Sequence, residues 1–464
     1  MNTATDIAAQ VRSGRLTAAQ VIESALNTAE QAHADLNAFT LIDRSGAMHR
    51  AEAIDRLVEQ GRDPGPLAGV PIALKDLIDD AGMPTTNGSS FPTEVATTSA
   101  SVVRRLGAAG AVIVGRVGLH EFAFGFTSEN PWFGPVRNPW DPDTSPGGSS
   151  GGSAAVVAAG VVPVAIGTDT GGSVRVPAAL CGIMGLKVTH GRVPLTGVTP
   201  LVGSLDTVGP LARTVDDLAA SYIAMAGDDA SDPWSQNRAV DGDQVHSPEG
   251  IRLGVPAPWN DGPMSDTVRA DVATFLERCS SLGIEIVELS AEVLTPPESL
   301  VDAIAPEILE VHRNRFEGHP ERYGADVAGR IEAAMQADPS AVIEAERWGS
   351  AARAEVSRLE DKGITALVAP TVGASIKVIG EDDISIRGEQ HFHRSLLSRY
   401  TAPINRIRLP ALSVPVAHES RRGESIQLIG SMWSESSLLG IARLLESEDV
   451  IGVGTPPIHF DETV

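Results

Sequence analysis

The order of apolar and polar positions divides the chain before any motif is considered. Ile7, Val11 and Leu16, then Val21, Ile22, Ala25 and Leu26, recur at helical spacing, so the first forty residues read as helices. Thr17 followed by Ala-Ala-Gln20 predicts a capping box at the start of the second helix. Residues 67–78 form an apolar run with one lysine, Lys75, inside it, and predict a buried strand. Ser101–Ala109 reads as a helix and Ala111–Val114 as a short buried strand. Helix and strand then alternate, which is the pattern of a mixed or parallel sheet with helices on its faces.

Beyond Asp228 the pattern changes. Ile251–Val255, Asp266–Leu282 and Ile284–Leu289 predict a strand, a helix and a strand. Residues 298–360 are charged and helical, and the segment 229–362 is expected to be a helical insertion. Thr365–Pro370, Leu409–Val416 and Ser425–Gly430 predict three more strands, and Ser434–Leu445 a helix. With no clean linker and no internal repeat, the expectation is one α/β domain over residues 1–464.

Composition changes the picture in two ways. First, 60 acids stand against 36 Lys and Arg among 464 residues, a formal charge of −24. That balance disfavours a nucleic-acid partner, which needs a basic face. The two cysteines, Cys181 and Cys279, make no disulfide framework and suit a reducing compartment. Met1–Gln10 lacks the pattern of a signal peptide, and the longest weakly polar stretch, Ala154–Gly167, is too short to span a membrane. The expected setting is cytoplasmic, without a membrane partner. Second, glycine is concentrated: 14 of the 46 glycines lie between Asp141 and Pro210, a window with only four acids and three bases. These glycines flank the apolar segment Ala154–Ile166, so they point to unusual backbone angles or close approach rather than to a linker.

Three places carry candidate chemistry. The ammonium of Lys75 sits in an apolar run, so desolvation should lower its pKa and make it a competent base. The alternative is a strand-end lysine that reaches water or pairs with Asp76 or Asp79. In Gly167-Thr-Asp-Thr-Gly-Gly-Ser-Val-Arg175, consecutive glycines can turn N–H groups toward one point and form an oxyanion hole, with Ser173 directly after them. The alternative is a glycine turn between a strand and a helix. Gly147-Gly-Ser-Ser-Gly151 matches a nucleophile elbow around Ser149, but the loop Asn138–Pro146 stands where that elbow needs a strand. Among the remaining groups, His120-Glu121 and His391/His393 lack metal-ligand spacing, so no metal or cofactor is expected. Cys181 reads as packed core. Asp169 and Arg175 flank Ser173 and are expected to pair, with a substrate carboxylate as the other partner open to Arg175.

Together and in this order, the Ala-Leu-Lys-Asp76, Gly-Gly-Ser-Ser-Gly-Gly-Ser153 and Gly-Thr-Asp-Thr-Gly-Gly-Ser-Val-Arg175 blocks resemble the amidase signature family. Cys181–Lys187 and Ser204–Pro210 extend the resemblance, whose core covers residues 67–215. It implies a mixed central β-sheet covered by helices on both faces, and hydrolysis of a carboxylic amide. It implies Ser173 as acylated nucleophile, Ser149 as the serine that follows a cis peptide bond, and Lys75 as the base. The backbone N–H groups of Thr170, Gly171, Gly172 and Ser173 would form the oxyanion hole. Phe122–Glu129 would line the mouth, with Phe124, Gly125, Phe126 and Thr127 against the substrate; the alternative is that its phenylalanines are core. The expected partners are a small-molecule amide and, in a homodimer, a second copy of this chain. Two narrower branches are a urea-type amide hydrolase acting on a carboxybiuret or allophanate, and the glutaminase subunit of a tRNA-dependent amidotransferase.

Overall fold

In the computed structural model the described residues are 2–241, 244, 246–418 and 422–460. The N-terminal periodicity becomes two helices, Ala4–Arg12 and Ala18–Leu36. Thr17 closes the expected capping box: Gln20 N donates to Thr17 Oγ1 at 3.1 Å, and Thr17 N to Gln20 Oε1 at 3.0 Å. Two orphan donors are thereby satisfied at the helix start.

The strands are, in chain order, β1 (Phe39–Ile42), β2 (Pro71–Lys75), β3 (Val112–Val117), β4 (Glu129–Asn130), β5 (Gly134–Pro135), β6 (Val164–Asp169), β7 (Met184–Lys187), β8 (Thr207–Ala212), β9 (Arg252–Pro256), β10 (Glu285–Leu289), β11 (Ala366–Pro370), β12 (Asp383–Ile386), β13 (Glu389–Phe392), β14 (Ala411–Pro415) and β15 (Ser425–Ile429). Eleven of them form one mixed sheet in the order β1-β3-β2-β6-β8-β7-β14-β15-β11-β9-β10. β2 runs parallel to both β3 and β6, and β6 is antiparallel to β8. Helices flank this sheet, as the alternating pattern implies.

The apolar run 67–78 yields a shorter strand than expected. Residues 66–69 form a turn with Gly69 at φ 72°, and a second turn follows Lys75. Segment 229–362 is helical from 298 to 361 apart from short connections, yet its first part is not an added helical layer. β9 and β10 pair parallel with each other and β9 with β11, so they extend the central sheet at one edge.

The glycine-rich window folds as helix Gly151–Ala158, β6, helix Arg175–Cys181 and β7. Every residue of helix Gly151–Ala158 is buried, which explains why it shows no polar face in the sequence. Gly152 permits this depth: a Cβ there would lie 2.5 Å from Gly118 O. The turn into this helix and the turn after β6 meet where Ser150 N donates to Ser173 O at 3.3 Å.

Candidate active site

Lys75 ends β2 within the central sheet and is fully buried. Its Nζ donates to Ser149 Oγ at 2.7 Å and to Thr168 Oγ1 at 2.8 Å. It pairs with neither Asp76 nor Asp79; Asp76 is instead held by Thr40, Thr86 and Arg116. Burial pushes the ammonium down to about 7, against the charges of Asp206 and Asp169, which hold it up. A lysine in this condition exchanges a proton near neutral pH.

Ser149 follows a cis peptide bond from Gly148. It is fully buried, with its hydroxyl on Lys75 and its carbonyl accepting from His120 N at 3.1 Å. It does not line the cavity described below. The loop before it, tied by Ser145 Oγ to Thr127 O, is not a strand. The strand–turn–helix that a nucleophile elbow requires is therefore absent around Ser149.

Ser173, on the turn after β6, lines a cavity shared with Phe124, Phe126, Thr170 and Gly171. Its hydroxyl makes no hydrogen bond among the described residues. The turn carrying it is organised by Asp169. One carboxylate oxygen accepts from Gly172 N at 2.8 Å and the other from Val174 N at 3.2 Å. Gly172, at φ 134°, lies so near Thr401 that a Cβ would meet Thr401 Oγ1 at 2.3 Å. Of the four expected N–H donors, that of Gly172 is therefore committed to Asp169. The N–H groups of Thr170, Gly171 and Ser173 have no acceptor among the described residues and stay available. Thr170 is fixed by its hydroxyl, which donates to Asp206 at 2.5 Å. Asp206 also accepts from Leu201 N and Val202 N, and burial raises it to about 6.

Arg175 is fully buried, and each of its three side-chain nitrogens is engaged. It meets both Asp169 oxygens at 3.0 and 3.1 Å, Gln427 at 2.9 Å, Asn405 at 2.6 Å and Thr401 O at 3.1 Å. It does not line the cavity, so the pair with Asp169 is structural and a substrate carboxylate is not its partner. Burial alone would raise Asp169, but Arg175 outweighs it and holds the carboxyl down at about 2. Asp169→Asn strands the Arg175 charge, and is expected to cost about 3–5 kcal/mol of stability. Earlier unfolding in urea, with unchanged steepness, is the measurement that checks it.

The mouth segment divides. Phe124, Gly125 and Phe126 line the cavity. Thr127 does not: its hydroxyl meets His120 Nδ1 at 3.3 Å and accepts from Glu129 N. Phe122 is core, packed against Phe91, His312 and Tyr323 with ring centroids 5.0–6.1 Å away. His120 is engaged at both nitrogens, by Thr127 and by Asp326 at 2.9 Å, and Cys181 is buried with its thiol pushed far up. Among the described residues no three His, Cys, Asp or Glu gather as a ligand set, and no helix is long and apolar enough to cross a membrane.

Several lining residues lie outside the set expected from the sequence. Leu201 and Leu205 come from the loop before β8, Leu300, Val301 and Ile304 from the 3-10 helix Glu298–Ile304, and Arg330, Arg394 and Arg406 from three later helices. Thr168, the second anchor of Lys75, lies within the quoted Gly-Thr-Asp-Thr block, where a hydroxyl one residue before Asp169 is the available signal.

A family model described as Amidase matches residues 20–439. The chain is 36% identical over 455 residues to AtzE, the 1-carboxybiuret hydrolase subunit of Pseudomonas sp. (strain ADP), covering 95% of this chain and 97% of that protein. It is 35% identical over 469 residues to a glutamyl-tRNA(Gln) amidotransferase subunit of Halorhodospira halophila, covering 95% and 96%. Among solved structures, an inhibitor-bound vestigial complex bearing on the origins of an s-triazine catabolic enzyme superposes with a TM-score of 0.91 at 33% identity, over 98% of this chain and 100% of that one. A bacterial aryl acylamidase superposes with a TM-score of 0.86 at 25% identity, over 96% of each chain.

Proposed function

This chain belongs to the amidase signature family and is an amidase; from that premise we propose that Ser173 is its nucleophile, with Lys75 and Ser149 as a proton relay. The observation that carries the reading is the buried Lys75 Nζ–Ser149 Oγ hydrogen bond of 2.7 Å, behind a cavity-facing Ser173. Neutral Lys75 takes the proton of Ser149 as Ser149 takes that of Ser173. Ser173 Oγ then adds to the amide carbonyl carbon. The negative charge that develops on the carbonyl oxygen is met by the free N–H groups of Thr170, Gly171 and Ser173. As the C–N bond breaks, the proton returns through Ser149 to the leaving nitrogen, and an acyl-enzyme remains. Water adds to the acyl carbon with the same relay as base, and the acid leaves. The Ser149–Ser173 contact is the one link made only when substrate seats, as is common for catalytic hydrogen bonds.

The finer reading is a hydrolase of a small amide, acting without nucleic acid, since 60 acids face 36 bases. The urea-type branch is supported by the likeness to the 1-carboxybiuret hydrolase chain, and the glutaminase branch by the likeness to the amidotransferase chain. A screen of aliphatic, aryl, amino-acid and urea-type amides, with ammonia detection, tests both. Ammonia from urea-type amides supports the first branch. Ammonia from glutamine, gained only with a co-purified second chain, supports the other. Wild-type protein that releases ammonia or amine from no amide counts against the activity.

A further inference from the structure

The charged residues that line the cavity are Arg330, Arg394 and Arg406, and no Asp or Glu among the described residues lines it. Two of these arginines are already matched. Arg330 is held to Asp326 through Nε at 2.9 Å and Nη2 at 2.6 Å, and also donates to Phe124 O. Arg406 donates to Glu346 at 3.0 Å. Arg394, on helix His393–Ser398, has no ion pair and no side-chain hydrogen bond among the described residues. Its guanidinium carbon stands 5.6 Å from the centroid of the Phe124 ring. Arg330 stands 5.5 Å from the same ring. Arg394 therefore sits half-buried beside a like charge; burial together with Arg330 lowers it to about 9, against the charge of Asp326, which holds it up. It remains cationic at neutral pH.

A cation in such a place is normally matched by an anion, because desolvation without a partner is costly. Among the described residues Arg330 and Arg406 each meet a carboxylate at hydrogen-bond distance, whereas Arg394 meets none and feels only the charge of Asp326, which Arg330 already holds. The cavity that Arg394 faces is the one that Ser173 lines. We propose that the amide substrate carries a carboxylate and that Arg394 is the specificity-determining residue that binds it. This rests on the reading of Ser173 as nucleophile. Leu201, Leu205 and Ile304 supply apolar wall to the same cavity, so the substrate class is a short amide with a carboxylate at the end away from the scissile bond. The planar guanidinium fork suits a carboxylate, which it can meet with two parallel hydrogen bonds. A neutral amide leaves the cation unmatched, and the site should discriminate against it.

The competing role for Arg394 is to prop Phe124 through the ring contact alone. The test measures kcat/KM for succinamate and malonamate against succinamide and malonamide, in wild type, Arg394→Met and Arg394→Lys. Wild type is expected to prefer the carboxylate-bearing members. Arg394→Met keeps the packing of the stem and should lower their kcat/KM about 10- to 100-fold, mostly through KM, with the diamides changed by less than about threefold. Arg394→Lys should restore part of the loss. An equal loss on acids and diamides makes Arg394 a prop for Phe124 and overturns the proposal, as does a wild-type preference for the diamides. A second arm needs no turnover: succinate and malonate should protect wild type from thermal unfolding more than they protect Arg394→Met. Equal protection overturns the carboxylate subsite. Failure of the amidase reading shows differently, as amide hydrolysis that survives Ser173→Ala or is absent from wild type.

Discussion

Ser173→Ala is expected to end turnover, with a fall on the order of 10⁶-fold, the scale seen when a serine hydrolase loses its nucleophile. The same substitution should leave stability within about 0.5 kcal/mol, because the Ser173 hydroxyl has no partner among the described residues to orphan. Catalysis and folding are therefore separable at this position. Ser149→Ala makes the contrast. It removes the acceptor at 2.7 Å from Lys75 Nζ and leaves that buried amine with Thr168 alone. A loss of at least about 10²-fold is expected there, the size of a general-base effect. Steady-state rates on the best amide of the screen, together with unfolding curves, check both. Peptide mass spectrometry after trapping with a slow acylating ester should place the adduct on Ser173. An adduct on Ser149 would reverse the two serines and bring back the elbow reading.

The residues that could be read from the sequence are those whose signal is local. Lys75 shows itself because a charged side chain interrupts an apolar run, and that run holds the buried strand β2. Ser173 and Thr170 show themselves because glycines are dense around them. The Thr17 capping box is a four-residue rule, and it holds. What stays hidden depends on the fold's long connections. Arg394 is more than two hundred residues from Ser173, and only the placement of a later helix beside the cavity joins them. Leu300, Val301 and Ile304 belong to a segment that reads as charged and helical, so their apolar face toward the cavity has no signature. Gly172 illustrates a different obstacle. Its place in the nest is visible, but a carboxylate three residues earlier competes for its N–H, which is the kind of bond that aspartate makes at turns. Adjacency alone groups Thr127 with the mouth, and the backbone turns its hydroxyl to His120 instead.

Activity should rise with pH to a plateau and lose its acid limb when Lys75 is replaced. Lys75 lies at about 7, lowered from 10.5 by burial. Below that value it is protonated and cannot accept the Ser149 proton, so log(kcat/KM) should climb with a slope near +1 and level off above about pH 8. Lys75→Met should lower the rate at least about 10²-fold and flatten the remaining profile through pH 7. Stability carries the same sign. The unfolded chain holds the lysine proton up to about 10.5 and the folded chain only to about 7, so Lys75 makes stability increase with pH between those values. A second buried lysine, Lys187, is also pushed down to about 7, first by burial and then by Arg175. The pH profile alone does not tell the two apart, but their partners do. Lys187 Nζ donates to Val188 O and Leu409 O, and neither carbonyl has a proton to exchange. Lys187→Met should thus keep the acid limb of activity while removing its own share of the stability slope. Asp206 supplies the last check, because its charge is the larger of the two that hold the Lys75 ammonium up. Asp206→Asn takes that charge away, and the limb should move to lower pH. A limb that stays in place after both Lys75→Met and Asp206→Asn would assign the titration to another group and remove Lys75 from the relay.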